Sequence, residues 1–144
     1  MRGTGKFIWR RNQKEWCKRG KGITRRRNDR ILDVALPFEI APTELKQRLD
    51  SGEKIHLVDV RESVEYQIAR VTNSELIPMA SVPGALQKIE RMTDDGRVVV
   101  VCHHGIRSLA VVNWLRQAGV EECQSLAGGI DRWSAEIDPT MPRY

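Results

Sequence analysis

The chain has 144 residues, 40% hydrophobic and 30% charged, which is typical of one soluble globular domain. Its longest apolar run, Val98–Cys102, is far shorter than the ~18 residues of a membrane span. Composition therefore excludes transmembrane and collagen-like proteins. Three cysteines, at positions 17, 102 and 123, cannot all pair and show no CxxC spacing, which excludes a disulfide scaffold and favours the reducing cytoplasm.

The formal charge of +5 combines two unlike segments. Residues 1–35 hold twelve Lys or Arg against three Asp or Glu, whereas residues 36–144 hold twelve against sixteen. The first segment has no hydrophobic period and few apolar residues, so we predict a disordered basic arm over 1–35 and a folded domain over 36–144. An arm of this charge is able to contact nucleic-acid phosphates, but the acidic domain offers no such surface.

Predicted strands and helices alternate along residues 37–136. The apolar pattern predicts strands at Pro37–Ile40, His56–Val60, Glu75–Pro78, Val98–Val101 and Cys123–Leu126. Helices are predicted from Pro42 toward Gly52, over Glu62–Ile68, Val82–Met92 and Ser108–Ala118, and after Gly128–Gly129. This alternation predicts a parallel sheet with helices on both faces, whose ligand site lies at the carboxyl ends of the strands. Asp59–Arg61 and Cys102–Arg107 follow the two most apolar strands and should face one crevice.

Cys102 stands where the most apolar strand ends, and a glycine-containing loop and a helix follow it. The first N–H groups of that helix lack intrahelical partners, and with the helix dipole they favour negative charge. A thiolate there is stabilised, Gly105 lets the loop turn its amides inward, and Arg107 adds a positive charge. The pattern predicts a nucleophilic cysteine acting on an anionic substrate, with a plain core cysteine as the alternative.

The residues around this loop have predicted roles of their own. Ser108 is interpreted as the helix N-cap, and Arg61 is expected to point into the crevice. Asp59 is interpreted as structural and not as a general base, because a carboxylate beside the cysteine would raise the pKa of the thiol and so disfavour the thiolate. His103 and His104 are not expected to bind a metal ion, because adjacent residues do not easily converge on one ion and zinc-ligand spacing is absent. Their rings are predicted to flank the mouth of the pocket. Structural roles are predicted for His56, Trp114, Cys123 and Trp133.

Three motifs resemble those of rhodanese-like sulfurtransferase domains, in the order that the family shows. They are Leu57–Glu62 followed by Glu65 and Tyr66, then Cys102-x-x-Gly105-x-Arg107-Ser108, then Leu126–Ile130 with Trp133. The resemblance spans residues 37–144 and implies a three-layer α/β fold with a central five-stranded parallel sheet. It also implies that Cys102 takes a sulfane sulfur from thiosulfate or a protein persulfide. The Cys102 persulfide then passes that sulfur to cyanide or a thiol, without a cofactor.

Loop length distinguishes this family from related phosphatases. Six residues run from Cys102 through Arg107, whereas phosphatases of the Cdc25 type and tyrosine phosphatases have one residue more. The resemblance therefore implies a sulfur-donor site formed by Arg61, His103, His104, Gly105, Ile106, Arg107 and Ser108. Arg107 steadies the loop or the donor, unless it only pairs with a carboxylate. The alternatives for the whole chain are a Cdc25-like phosphatase or arsenate reductase, and a non-enzymatic binding module. Cys17 is interpreted as an incidental thiol, the alternative being a resolving thiol.

Overall fold

The computed structural model describes residues 35–144. Nearly all of the predicted basic arm, its contact with nucleic acid, and Cys17 lie outside these residues. The described strands are β1 Glu39–Ile40, β2 Ile55–Asp59, β3 Ser74–Leu76, β4 Arg97–Val101 and β5 Cys123–Leu126. The helices between and after them are α1 Pro42–Asp50, α2 Ser63–Ile68, α3 Leu86–Met92, α4 Ile106–Gln117 and α5 Gly129–Glu136. Within this range, no helix is long and apolar enough to cross a membrane.

The five strands form one parallel sheet in the order β1-β5-β4-β2-β3. The valine-rich strand β4 lies at its centre and is buried on both faces, as its composition predicts. Asp59 pairs with Val101 in the register of β2 with β4. The segments that follow these two strands therefore leave the sheet side by side, which confirms the predicted fold and positions the site.

Helices cover both faces of the sheet. Successive side chains of a strand point to opposite faces, so Val98 and Val100 join one core cluster while Val99 and Val101 join the other. The first cluster holds Ile89 of α3, Val111, Val112 and Leu115 of α4, and Cys123; the second holds Leu45 of α1 and Ile130 and Trp133 of α5. Core packing of Cys123 and Trp133 is thus confirmed, whereas Trp114 is 39% exposed and belongs to neither core cluster.

Two helices begin at positions other than those predicted. The stretch Val82–Met92 was expected to be one helix, but 3-10 turns at Met79–Ser81 and Pro83–Ala85 precede α3. Pro83 has no N–H to continue a helical ladder, so the α-helix starts only after it. Helix α4 begins at Ile106 because Gly105, with φ +92°, serves as its N-cap. Ser108 therefore lies inside the first turn and does not cap the helix, which corrects its predicted role.

Candidate active site

The side chain of Cys102 lies at the carboxyl end of β4, beneath the first turn of α4. The backbone N–H groups of Gly105 and Ser108 donate to its Sγ at 3.0 and 3.3 Å. The thiol in turn donates to the Ser108 hydroxyl at 3.3 Å, and the residue is only 1% exposed. Backbone N–H groups that converge on one sulfur favour negative charge at that sulfur.

Ser108 links the cysteine to the neighbouring strand. Its Oγ lies 2.7 Å from the Oγ of Ser125, and both residues are fully buried. The Ser108 hydroxyl therefore bonds the Cys102 sulfur and the Ser125 hydroxyl instead of capping the helix. Ser125 was missed by the sequence analysis, although it stands opposite Val100 in the register of β5 with β4, close to the strand end that carries Cys102.

The turn before α5 packs directly against the backbone of the loop. The N–H groups of Ile130 and Asp131 donate to the carbonyl oxygens of Cys102 and His103 at 2.8 and 3.0 Å. Gly129 has φ +62°, and a Cβ there would lie 2.5 Å from the Cys102 oxygen and 2.4 Å from the His103 oxygen. The glycine of the closing motif is therefore required by the close approach of two backbones.

Arg107 is held by Glu65 of α2. Its two terminal nitrogens donate to the two carboxylate oxygens at 2.9 and 3.0 Å. This contact raises the pKa of Arg107 above its usual value and lowers the pKa of Glu65 to about 2. The Arg107 side chain is still 36% exposed, so it faces solvent as well as Glu65. The sequence analysis gave pairing with a carboxylate as the alternative role of Arg107, and Glu65 is such a partner.

Asp59 and Arg61 form a buried ion pair behind the loop. Arg61 Nη2 lies 2.6 Å from Asp59 Oδ2, and Nε lies 2.9 Å from Oδ1. The other N–H groups of Arg61 donate to the carbonyls of Glu65 and Ala69 and to the hydroxyl of Tyr144. Every N–H of this fully buried guanidinium has a partner inside the protein. The prediction that Arg61 points into the crevice is therefore wrong. Asp59 is likewise fully buried in this pair.

Three aromatic rings stack along the outer side of the loop. The ring centroids of His103 and His104 are 4.0 Å apart, and those of His103 and Tyr144 are 4.1 Å apart. Burial lowers the pKa of His103, while His104 stays exposed. Ile106 of the loop points to solvent. Tyr144 was missed because nothing in its local sequence connects it to Cys102.

The remaining polar groups contribute less to the site. Cys123 starts β5, at the other end of the sheet from Cys102, and burial raises its pKa to about 11. His56 lies 2.7 Å from the Asp95 carboxylate at that same distant end. Among residues 35–144, no cluster of three or more His, Cys, Asp or Glu side chains is arranged to hold a metal ion.

Comparison with known proteins identifies relatives in sequence and in structure. A family model described as the rhodanese-like domain matches residues 41–136. The chain is 33% identical over 116 residues to the probable adenylyltransferase/sulfurtransferase MoeZ of Mycobacterium tuberculosis, covering 81% of this chain but only 29% of MoeZ. It is 30% identical over 101 residues to the putative sulfurtransferase YtwF of Bacillus subtilis, covering 70% of this chain and 94% of YtwF. A rhodanese-related protein from Thermoplasma volcanium superposes with a TM-score of 0.60 at 29% identity, covering 74% of this chain and 96% of that one.

Proposed function

The chain belongs to the rhodanese-like domain family, and from this we propose that it is a sulfurtransferase in which Cys102 carries sulfane sulfur as a persulfide. The proposal rests on one observation: the Cys102 sulfur accepts hydrogen bonds from two backbone N–H groups, at 3.0 and 3.3 Å. Preorganised donors of this kind stabilise charge on the reacting sulfur without rearranging during the reaction. Relatives named as sulfurtransferases support the same class of reaction.

The first half-reaction loads the cysteine. The Cys102 thiolate attacks the outer sulfur of thiosulfate, a new S–S bond forms, and the bond within thiosulfate breaks. Sulfite leaves with the electron pair of the broken bond. Arg107 attracts the anionic donor, because its guanidinium is partly exposed and stands in the first turn after the loop. His103, His104 and Ile106 form the mouth through which the donor enters.

The second half-reaction returns the cysteine to its starting state. An acceptor thiolate, or cyanide in an assay, attacks the outer sulfur of the persulfide. The bond to Sγ breaks, and Cys102 recovers its electron pair as a thiolate. The product is a new persulfide or thiocyanate, so the exchange is ping-pong and balances without a cofactor.

The donor in the cell is either thiosulfate or a protein persulfide, and we propose that the acceptor is a thiol. Cys102 is nearly inaccessible, which favours a small donor or a reactive sulfur at the end of a flexible segment. Both cysteines in the described part of the chain are free thiols, a state that the reducing cytoplasm maintains. We therefore propose a cytoplasmic protein, with contact to nucleic acid through residues 1–35 as an additional proposal.

The experiment that tests this proposal measures sulfur transfer from thiosulfate to cyanide, together with the intact mass after thiosulfate alone. We expect turnover and an adduct of one sulfur in the natural chain, and neither in Cys102→Ala. Cys123→Ala is the matched control and should keep both, because that thiol is buried at the opposite end of the sheet.

The same experiment distinguishes the alternatives. An adduct without turnover indicates a persulfide carrier that needs a protein partner. A folded protein with neither signal contradicts the proposal and favours the binding module. Hydrolysis of a phosphate ester that requires Cys102 would instead favour the phosphatase alternative, for which the loop is one residue too short.

A further inference from the structure

Tyr144 makes contacts with both ion pairs next to the active loop. Nη1 of Arg61 donates to the Tyr144 hydroxyl at 2.6 Å, and that hydroxyl donates to Glu65 Oε1 at 3.1 Å. Glu65 in turn holds both terminal nitrogens of Arg107. One hydroxyl therefore joins the buried Asp59–Arg61 pair to the Glu65–Arg107 pair at the start of α4.

The ring of Tyr144 makes a separate contact with the loop. It stacks on the imidazole of His103, with centroids 4.1 Å apart and planes 18° from parallel. His103 is the residue immediately after Cys102, and its other face stacks on His104. The ring of Tyr144 thus lies against the residue that follows Cys102, while its own outer surface remains exposed.

We propose that Tyr144 is a positioning residue for the Cys102 loop, acting through its hydroxyl on Glu65 and Arg107 and through its ring on His103. This inference deepens the proposed sulfur transfer and rests on it. The contacts of Tyr144 run to Arg61, Glu65 and His103, so it acts on the surroundings of Cys102 and takes no direct part in the exchange. The two contacts are made by different atoms, which allows their effects to be separated by substitution.

The hydroxyl governs the anionic donor. Without it, Glu65 Oε1 loses a donor and binds Arg107 alone, and one buried N–H of Arg61 loses its acceptor. The change at Glu65 alters how Arg107 is held, so Tyr144→Phe should raise the KM for thiosulfate by about threefold while leaving kcat near its natural value.

The ring governs the geometry of the loop. Tyr144→Leu removes the stacked ring as well as the hydroxyl, and freer motion of the segment next to Cys102 should slow persulfide loading. We expect a loss of about tenfold in kcat in addition to the higher KM, because small displacements of a reacting group are costly.

A spectroscopic measurement separates positioning from general instability. In the natural chain, burial of His103 lowers its pKa, and the ionisable groups of His104, Asp131, Glu65 and Arg61 also act on it. Removing the ring in Tyr144→Leu should expose His103, so its NMR titration midpoint should rise toward the ordinary value for histidine. Tyr144→Phe keeps the ring and should leave that midpoint unchanged.

The matched control is Tyr66→Phe. The Tyr66 hydroxyl donates to the Ser74 carbonyl at 2.6 Å, on the side of α2 that faces β3, so this variant loses one tyrosine hydrogen bond away from the loop. It should match the natural chain in KM, in kcat and in the titration of His103.

The experiment measures persulfide loading by intact mass, steady-state KM and kcat, and His103 titration in these variants. Wild-type rates for folded Tyr144→Leu would overturn the inference, as would an equal loss in Tyr66→Phe and Tyr144→Phe. If the natural chain itself loads no sulfur, the proposed function fails instead, and the His103 titration still reports whether Tyr144 positions the loop.

Discussion

The carboxylate of Glu65 binds Arg107 through two hydrogen bonds of 2.9 and 3.0 Å and so ties α2 to the first turn of α4. The same carboxylate accepts the backbone N–H of Glu62 at 3.1 Å, which closes the capping box of α2. One side chain therefore stabilises the start of a helix and orients Arg107. This explains why the short helix after β2 belongs to the site.

The Glu65–Arg107 pair should make stability depend on pH in the acid range. The pKa of Glu65 is lowered to about 2, so the stabilisation is fully present above the ordinary pKa of a glutamate and is lost as pH falls toward 2. At pH 7, Glu65→Gln should lose about 1–2 kcal/mol, after allowance for solvent screening. Urea unfolding of both proteins between pH 3 and pH 7 tests this. A difference that stays constant over this range would contradict it.

Neutralising Asp59 should be far more damaging. In Asp59→Asn the guanidinium of Arg61 stays fully buried without its counter-ion. The expected loss is about 3–5 kcal/mol, measured as a lower urea midpoint with an unchanged slope. The double variant Asp59→Leu with Arg61→Met removes both charges and should be more stable than Asp59→Asn. An unaltered midpoint in Asp59→Asn would show that the pair contributes nothing.

A methyl group on Gly129 should displace the active loop. Its Cβ would lie 2.4 Å from the His103 carbonyl oxygen, and the residue has φ +62°. Neither backbone can move away cheaply, so Gly129→Ala should cost about 2–4 kcal/mol and slow persulfide loading. Gly84→Ala is the control, since a Cβ there meets nothing within 4 Å, and its stability should change by less than about 0.5 kcal/mol. Equal effects in the two variants would refute the role of the close approach.

Ser108 should matter to the rate more than to the fold. Ser108→Ala removes the hydroxyl 3.3 Å from the Cys102 sulfur and leaves the buried Ser125 hydroxyl without that partner. We expect a loss of about 1–2 kcal/mol in stability and about tenfold slower persulfide loading, followed by intact mass. Ser134→Ala is the matched control, because that buried hydroxyl donates to the Asp131 carbonyl in α5. It should be similarly destabilised yet load sulfur at the natural rate.

Local patterns were sufficient for most of the fold. Four successive valines predicted the central strand, and the alternation with helices predicted a parallel sheet. The site at the carboxyl ends of β2 and β4 followed from that topology. The start of α4 was misjudged because a serine resembles an N-cap, whereas Gly105 in the left-handed region fills that position.

Sequence by itself therefore determined the order of the strands and helices along the chain, the burial of β4 and the position of Cys102 just before a helix. These follow from periodicity and from residues that are neighbours in the chain. Only the tertiary structure decided that Glu65 holds Arg107, that Arg61 turns inward to Asp59 and Tyr144, and that Ser125 supports Ser108. These partners lie on different elements or in crowded interiors, and packing alone selects among the many polar groups available to each. For the same reason, only the tertiary structure showed that Tyr144 stacks on His103, the residue after Cys102.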